Sequence, residues 1–279
     1  MKMKDGYFER ERGKRQYWRA WLPDAEPAAV LIINHGWAEH SGRYENIAQA
    51  LLPAAFAIYA EDHQGHGQSA GKRAYIEKFA DFTEDIHFFR KEIVEKENPE
   101  LPVFMLGHSM GSIITMNYLG RYAHGLKGVI LSGTGAGNGA AVSSFLITLA
   151  KILGIILPKL TIDAGLDPQF ISHDKVTVEN YINDPYRFSF ISARLAAEMY
   201  RGLDSGVEIL KKVEIPLLIQ YGQEDLSFSR QNELYELSGS KDKKILAYEN
   251  ARHEVYNEIF EIRQKALDDL KNWLNDHLD

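Results

Sequence analysis

The stretch VFMLGHSMGSIITM, residues 103–116, runs from apolar residues through Gly107, Ser109 and Gly111, then straight back into apolar residues. It reads as a short buried strand, a five-residue turn and the start of a helix. Gly107-His108-Ser109-Met110-Gly111 fits the G-x-S-x-G elbow, a sharp strand-to-helix turn that holds a serine Oγ out over a sheet. Side chains at the two glycines would collide with the neighbouring strand and helix as the backbone closes up. The pattern alone arises by chance in about one chain in ten of this length. A serine that merely caps a helix is the plain alternative, so the flanking sequence has to separate the two readings.

On the N-terminal side, residues 6–23 pattern as two strands joined by a turn at Gly13. AVLIINHG (29–36) and FAIYAED (56–62) are continuous apolar runs, as expected of strands buried on both faces. Helical spacing runs through RYENIAQALLPAA and again through FADFTEDIHFFRKEIVEKEN. After the elbow helix comes the strand GVILSG (128–133). The alternation then stops, and from about Gly135 to about Lys212 the chain is largely helical. It resumes with PLLIQYG (216–222), a short helix at 231–237, the strand KKILAYE (243–249) and a last helix from about Tyr256 to Leu278. This is an α/β pattern: one mostly parallel sheet with helices on both faces and a helical insertion between its sixth and seventh strands. Right-handed crossovers place the parallel strand ends, and any site they carry, along one edge.

Bulk properties narrow the function. The 279 residues suffice for one large domain with an insertion. A formal charge of -7 argues against nucleic acid as a partner. With no cysteine, disulfides, thiol nucleophiles and cysteine-ligated metals are excluded. The opening residues have no apolar stretch after their lysines, so no signal peptide is read and a cytoplasmic location is the expectation. AVSSFLITLAKILGIILPKL (141–160) comes nearest to a membrane span, but Lys151, Gly154 and Pro158 interrupt or end it.

A nucleophilic Ser109 needs a histidine base and a carboxylate to orient it, following in the order acid, then histidine. His35, His40, His63, His66 and His87 all precede the serine. His108 is expected to be directed away by the elbow, and His124 lies at the far end of the helix. His173 falls in the insertion and His277 near the chain end. That leaves His253, after the last strand. Asp225 stands three residues past Gly222, beyond the next-to-last strand, while its neighbour Glu224 should point the other way. The oxyanion of acyl transfer needs two backbone N–H donors. Met110, next after the serine, and Trp37, in the loop after Asn34-His35-Gly36, are best placed to supply them.

Three further features have plainer explanations. His63 and His66 in DHQGHGQS sit in a glycine-rich turn with no third ligand nearby, so turn structure is expected and no metal. GTGAGNGA (133–140) has dinucleotide-like spacing but leads into an apolar helix rather than a second βα unit, and reads as a hinge into the insertion. The stripe Phe145, Leu149, Ile152 and Ile156 is expected to pack into a core rather than to face lipid.

From about Tyr17 to its end, the chain resembles the monoacylglycerol lipase and lysophospholipase group of serine α/β-hydrolases. HGWAEHSGRY (35–44) is close to the group's H-G-x-x-E-H-S-G-R-Y, and DHQGHGQSAG (62–71) to its D-x-x-G-H-G-x-S turn. GHSMG, the segment from Gly222 to Asp225, His253 and Asn183-Asp184-Pro185 also match. The resemblance implies a Ser109, Asp225, His253 triad with the N–H groups of Trp37 and Met110 as the oxyanion hole. It implies no metal or organic cofactor, and a small lipid ester as substrate. Residues 137–203 would form a cap between core segments 1–136 and 204–279, with an apolar face for transient contact with a membrane or micelle. The group often has a small residue where this chain has Trp37, which bears on the pocket's width. A lysophospholipase or general carboxylesterase is the near alternative. An aminopeptidase would want cap carboxylates such as Asp163, Asp167 or Asp174 facing the serine. A receptor that retains a triad for slow turnover is the more distant alternative.

Overall fold

The computed structural model describes residues 2–10, 13–139 and 144–278, with no side-chain detail at 144 and 146. Eight strands form the main sheet: β1 (Lys2–Glu9), β2 (Arg15–Leu22), β3 (Ala29–Asn34), β4 (Phe56–Glu61), β5 (Val103–His108), β6 (Leu126–Ser132), β7 (Leu217–Gly222) and β8 (Lys243–Tyr248). Their spatial order is β1-β2-β4-β3-β5-β6-β7-β8. β2 pairs antiparallel with β1 and with β4, and every other neighbouring pair in the sheet is parallel.

The apolar runs become strands for the reason their composition suggests. In β3, β4 and β5 every residue is buried, so both faces need apolar side chains. Alternate residues feed two separate cores. Val30 and Ile32 face one side, where α2 (Ala80–Phe89), α3 (Met110–Tyr122) and α6 (Ala193–Leu210) supply Phe82, Ile114 and Leu203. Leu31 and Ile33 face the other, where α1 (Glu45–Leu51) and α8 (Phe260–Asp276) supply Ile47, Leu270 and Trp273.

Between β6 and β7 lie α4 (Ser144–Ile156), α5 (Lys175–Asn183), α6, and a short antiparallel pair of Thr161–Asp163 with Phe190–Ser192. Here the structure corrects one expectation. Phe145, Leu149, Ile152 and Ile156 do not enter a core: Phe145 is 74% and Ile156 67% exposed, and Ile155 beside them is 65% exposed. The reason is that α4 is covered on one side only. It lies on α6 at Gly154, where an added Cβ would meet Ala197 Cβ at 2.7 Å and Ala193 O at 2.9 Å, and no layer of the described residues covers its opposite face. The first residues of the 141–160 run lie outside the described residues. No helix among the described residues is long and apolar enough to cross a membrane.

One boundary also moves. α7 (Gln231–Leu237) starts where its pattern begins, but α8 starts at Phe260 rather than near Tyr256. The delay is set by Glu258, a fully buried carboxylate that accepts the N–H groups of Arg252, His173 and Ile259. Its backbone is extended there, and so a single 3-10 turn (Val255–Asn257) precedes the helix.

Candidate active site

Ser109 occupies the turn between β5 and α3 at φ 55° and ψ −120°, a combination that non-glycine residues avoid. Both glycines of the elbow are sterically required. A Cβ at Gly107 would come within 2.3 Å of Gly111 O, and one at Gly111 within 1.9 Å of Asn34 O. That second approach sets the elbow against the end of β3. A Cβ built on Gly36 would stand 3.1 Å from Ser109 Cβ, which brings the loop carrying Trp37 beside the serine. Among the described residues no oxygen accepts a hydrogen bond from the N–H of Trp37 or of Met110. At Met110 this follows from its position, because the first N–H groups of a helix have no partner inside it.

Asp225 and His253 come from the loops after β7 and β8, and the structure joins them. His253 Nδ1 lies 2.9 Å from Asp225 Oδ2, while Asp225 Oδ1 accepts the Ser227 N–H at 2.7 Å. An ionised carboxylate only accepts, so Nδ1 carries the proton and Nε2 keeps the lone pair that a base needs. Gly133, just after β6, makes room for the ring: a Cβ there would meet His253 Cε1 at 2.9 Å. The residue before it, Ser132, accepts the Ser109 N–H at 3.0 Å. His253 therefore sits over the strand end to which the serine is tied, although no hydrogen bond links the Ser109 hydroxyl to the imidazole. Catalytic hydrogen bonds are commonly long before substrate binds.

The electrostatics suit a base. Burial works against charge on His253, but the Asp225 carboxylate, followed by those of Glu254 and Glu39, outweighs it and holds the imidazole above its ordinary pKa. For Asp225, burial pushes the carboxyl up, and the adjoining His253 and the Ser227 N–H more than reverse this, leaving it below the ordinary carboxylate range.

The other histidines are accounted for by contacts. His108 packs beside His253. At the end of β5 it is buried, with its ring centroid 4.8 Å from that of His253. Burial and the neighbouring His253 lower its pKa to about 3, so it stays neutral. His63 and His66 do have a third histidine nearby, His35, with ring centroids 4.1 Å and 5.4 Å away. Their contacts are those of a turn, however. His35 Nε2 accepts the His63 N–H, and His35 Nδ1 lies 2.7 Å from Gly36 O. His173 reaches from the insertion to Glu224 and Glu258, 3.1 Å from a carboxylate oxygen of each.

Sequence reading missed a buried ionic group behind the site. Arg43 pairs in bidentate fashion with Glu254, next in the chain to His253, and also with Glu39. The HGWAEHSGRY motif held the signal, since Glu39 and Arg43 are four residues apart, but its third member lies 211 residues away.

Comparison with known proteins finds relatives of this chain along nearly its whole length. A family model described as serine aminopeptidase, S33, matches residues 25–259. The chain is 33% identical to a monoacylglycerol lipase of Mycolicibacterium smegmatis, with 95% of each chain covered. It is 30% identical to the human monoglyceride lipase, with 94% of this chain and 88% of that one covered. The crystal structure of a Paleococcus ferrophilus monoacylglycerol lipase matches with a TM-score of 0.82 at 27% identity, over 99% of this chain and 100% of that one. A shared fold and relatedness along nearly the whole length lead to one family, and the chain belongs to the monoacylglycerol lipase-type serine α/β-hydrolases.

Proposed function

We propose that this protein hydrolyses carboxylic esters of lipids, monoacylglycerols first among them, through an acyl-enzyme on Ser109. The observation that carries the reading is the convergence at one sheet edge of a strained Ser109, the hydrogen-bonded His253–Asp225 pair and two amides that have no acceptor among the described residues. His253 takes the serine proton as Oγ attacks the ester carbonyl, and Asp225 holds the imidazole tautomer and balances its charge. The N–H groups of Trp37 and Met110 hold the oxyanion, each contributing about 3 kcal/mol to the barrier reduction. The alcohol leaves with the proton from His253, and water repeats the sequence on the acyl-enzyme. None of these steps calls for a metal or an organic cofactor.

Lipid substrates are supported by the names of the relatives and by the exposed face of α4. In this reading residues 137–203 are the cap, and core segments 1–136 and 204–279 carry the triad. α6 crosses the boundary at 203 and anchors the cap to the core: a Cβ at Gly202 would meet Phe79, and one at Gly206 would meet Met116. The apolar face of α4 makes peripheral, transient contact with a membrane or micelle. Trp37 walls the pocket on the cap side, edge-on to Phe188 with ring centroids 5.8 Å apart.

A peptidase is disfavoured. The cap carboxylates it would use are committed to local backbone: Asp163 to the Gly165 N–H, Asp167 to that of Gln169, and Asp174 to those of Val176 and Thr177.

Product release from monoacylglycerols of graded acyl length, with Ser109→Ala in parallel, tests the reading. Sustained turnover is expected, falling by roughly 10⁴-fold or more in the variant. Folded protein that turns over lysophospholipids or small esters, but no monoacylglycerol, would overturn the substrate assignment.

A further inference from the structure

The Glu39–Arg43–Glu254 group links the two halves of the site. Glu39 Oε1 accepts the Gly36 N–H at 2.5 Å and the Tyr44 hydroxyl at 2.8 Å. Glu39 Oε2 accepts from Arg43 Nη1 at 2.9 Å. The guanidinium then grips both oxygens of Glu254 at 2.7 Å and 2.8 Å. Both carboxylates are 5% exposed, and Arg43 is roofed by the Tyr181 ring of α5, 4.7 Å from its guanidinium carbon. An unbroken path of charge-assisted contacts thus runs from the Gly36 amide to the residue beside His253.

Burying three charges is costly, and well-packed apolar residues often serve stability equally well. What apolar residues cannot do is hold an amide in one orientation. Gly36 has no side chain to limit its backbone, and its φ and ψ set where the next N–H, that of Trp37, points. A Cβ built on Gly36 would lie 2.6 Å from Glu39 Oε1 and 3.1 Å from Ser109 Cβ, so the glycine is held between carboxylate and serine. The carboxylate supplies from outside the restraint that the glycine lacks.

We propose that Glu39 is a positioning residue for the oxyanion hole: held by Arg43 against Glu254, its carboxylate pins the Gly36 amide and thereby aims the Trp37 N–H. This rests on the reading of Ser109 as nucleophile. Glu39 touches no reacting atom. It acts through the backbone, and Arg43 ties that backbone to the loop bearing His253, so that donor and base keep register.

Matched short-chain oxoester and thionoester substrates test this, because sulfur accepts hydrogen bonds poorly and a thionoester draws little help from an oxyanion hole. Glu39→Met keeps the shape but removes the acceptor, whereas Glu39→Gln retains a carbonyl oxygen for the Gly36 N–H. In Glu39→Met the ratio of oxoester to thionoester kcat should shrink about tenfold with KM within about twofold. In Glu39→Gln it should stay within about threefold of wild type. Arg43→Lys leaves Glu39 itself intact but loosens its hold, and should narrow the ratio part of the way, a test that survives if the methionine variant does not fold. Equal slowing on both esters in any folded variant, or an unchanged ratio in Arg43→Lys, overturns the proposal. Oxoester turnover that persists in Ser109→Ala would instead overturn the site reading beneath it.

Discussion

A serine held at φ 55° is an unfavourable conformer that the surrounding contacts must enforce, and here they do so from both flanks. The positions of its proposed partners, Asp225 and His253, were legible because each follows a strand that the pattern places at the same edge. Glu39, Arg43 and Glu254 were not, since a buried ion group announces itself only when distant segments meet. The contact of His108 with the His253 ring was not readable for the same reason: spacing located the residue but not the ring across from it. These carboxylates have a measurable consequence. In the proposed mechanism His253 must be neutral to accept a proton, so kcat/KM is expected to fall as pH drops through the imidazole pKa. That pKa lies above the ordinary 6.5, and the midpoint of the acid limb is therefore expected above pH 6.5. Glu254→Gln removes one of the charges that raise it, so the midpoint should move toward lower pH on a soluble ester. A shift toward higher pH would contradict the assigned electrostatics.

Among the elements, α4 separates what periodicity reveals from what it cannot. Its helical spacing was readable, but an apolar stripe looks the same whether a second layer covers it or solvent meets it. Only the packing at Gly154, which commits one side of the helix to α6, shows that the other side is left bare. The start of α8 was misplaced because the buried Glu258 carboxylate holds the preceding backbone extended, which no propensity predicts. Exposure makes α4 open to test. Phe145→Glu combined with Ile155→Glu should leave the unfolding free energy within about 0.5 kcal/mol, because neither side chain is packed. The pair should also weaken adsorption to phosphatidylcholine vesicles by roughly tenfold or more. Unaltered adsorption would remove α4 from the proposed membrane contact.

For the molecule as a whole, the sheet turns residues scattered over most of the chain into one site. Parallel β3, β5, β6, β7 and β8 all end at the same edge, and their following loops deliver Trp37, Ser109, Gly133, Asp225 and His253 in turn. The alternation of strands and helices made this edge predictable. The strand order did not follow from pattern alone, because β4 inserts between β2 and β3 and apolar runs carry no record of their neighbours. The two cores show how the sheet is held: successive residues of β3 point to opposite faces, so that helices on both sides fix the strand ends on which the site depends. If that edge is the catalytic centre, every turnover passes through an acyl group on one named oxygen. Rapid quenching during steady-state ester hydrolysis, followed by peptide mass mapping, tests this directly. The prediction is a single acyl mass on the peptide containing residues 103–116, located on Ser109 and absent from Ser109→Ala. An acyl group trapped on any other side chain, with Ser109 unmodified while turnover continues, would contradict it.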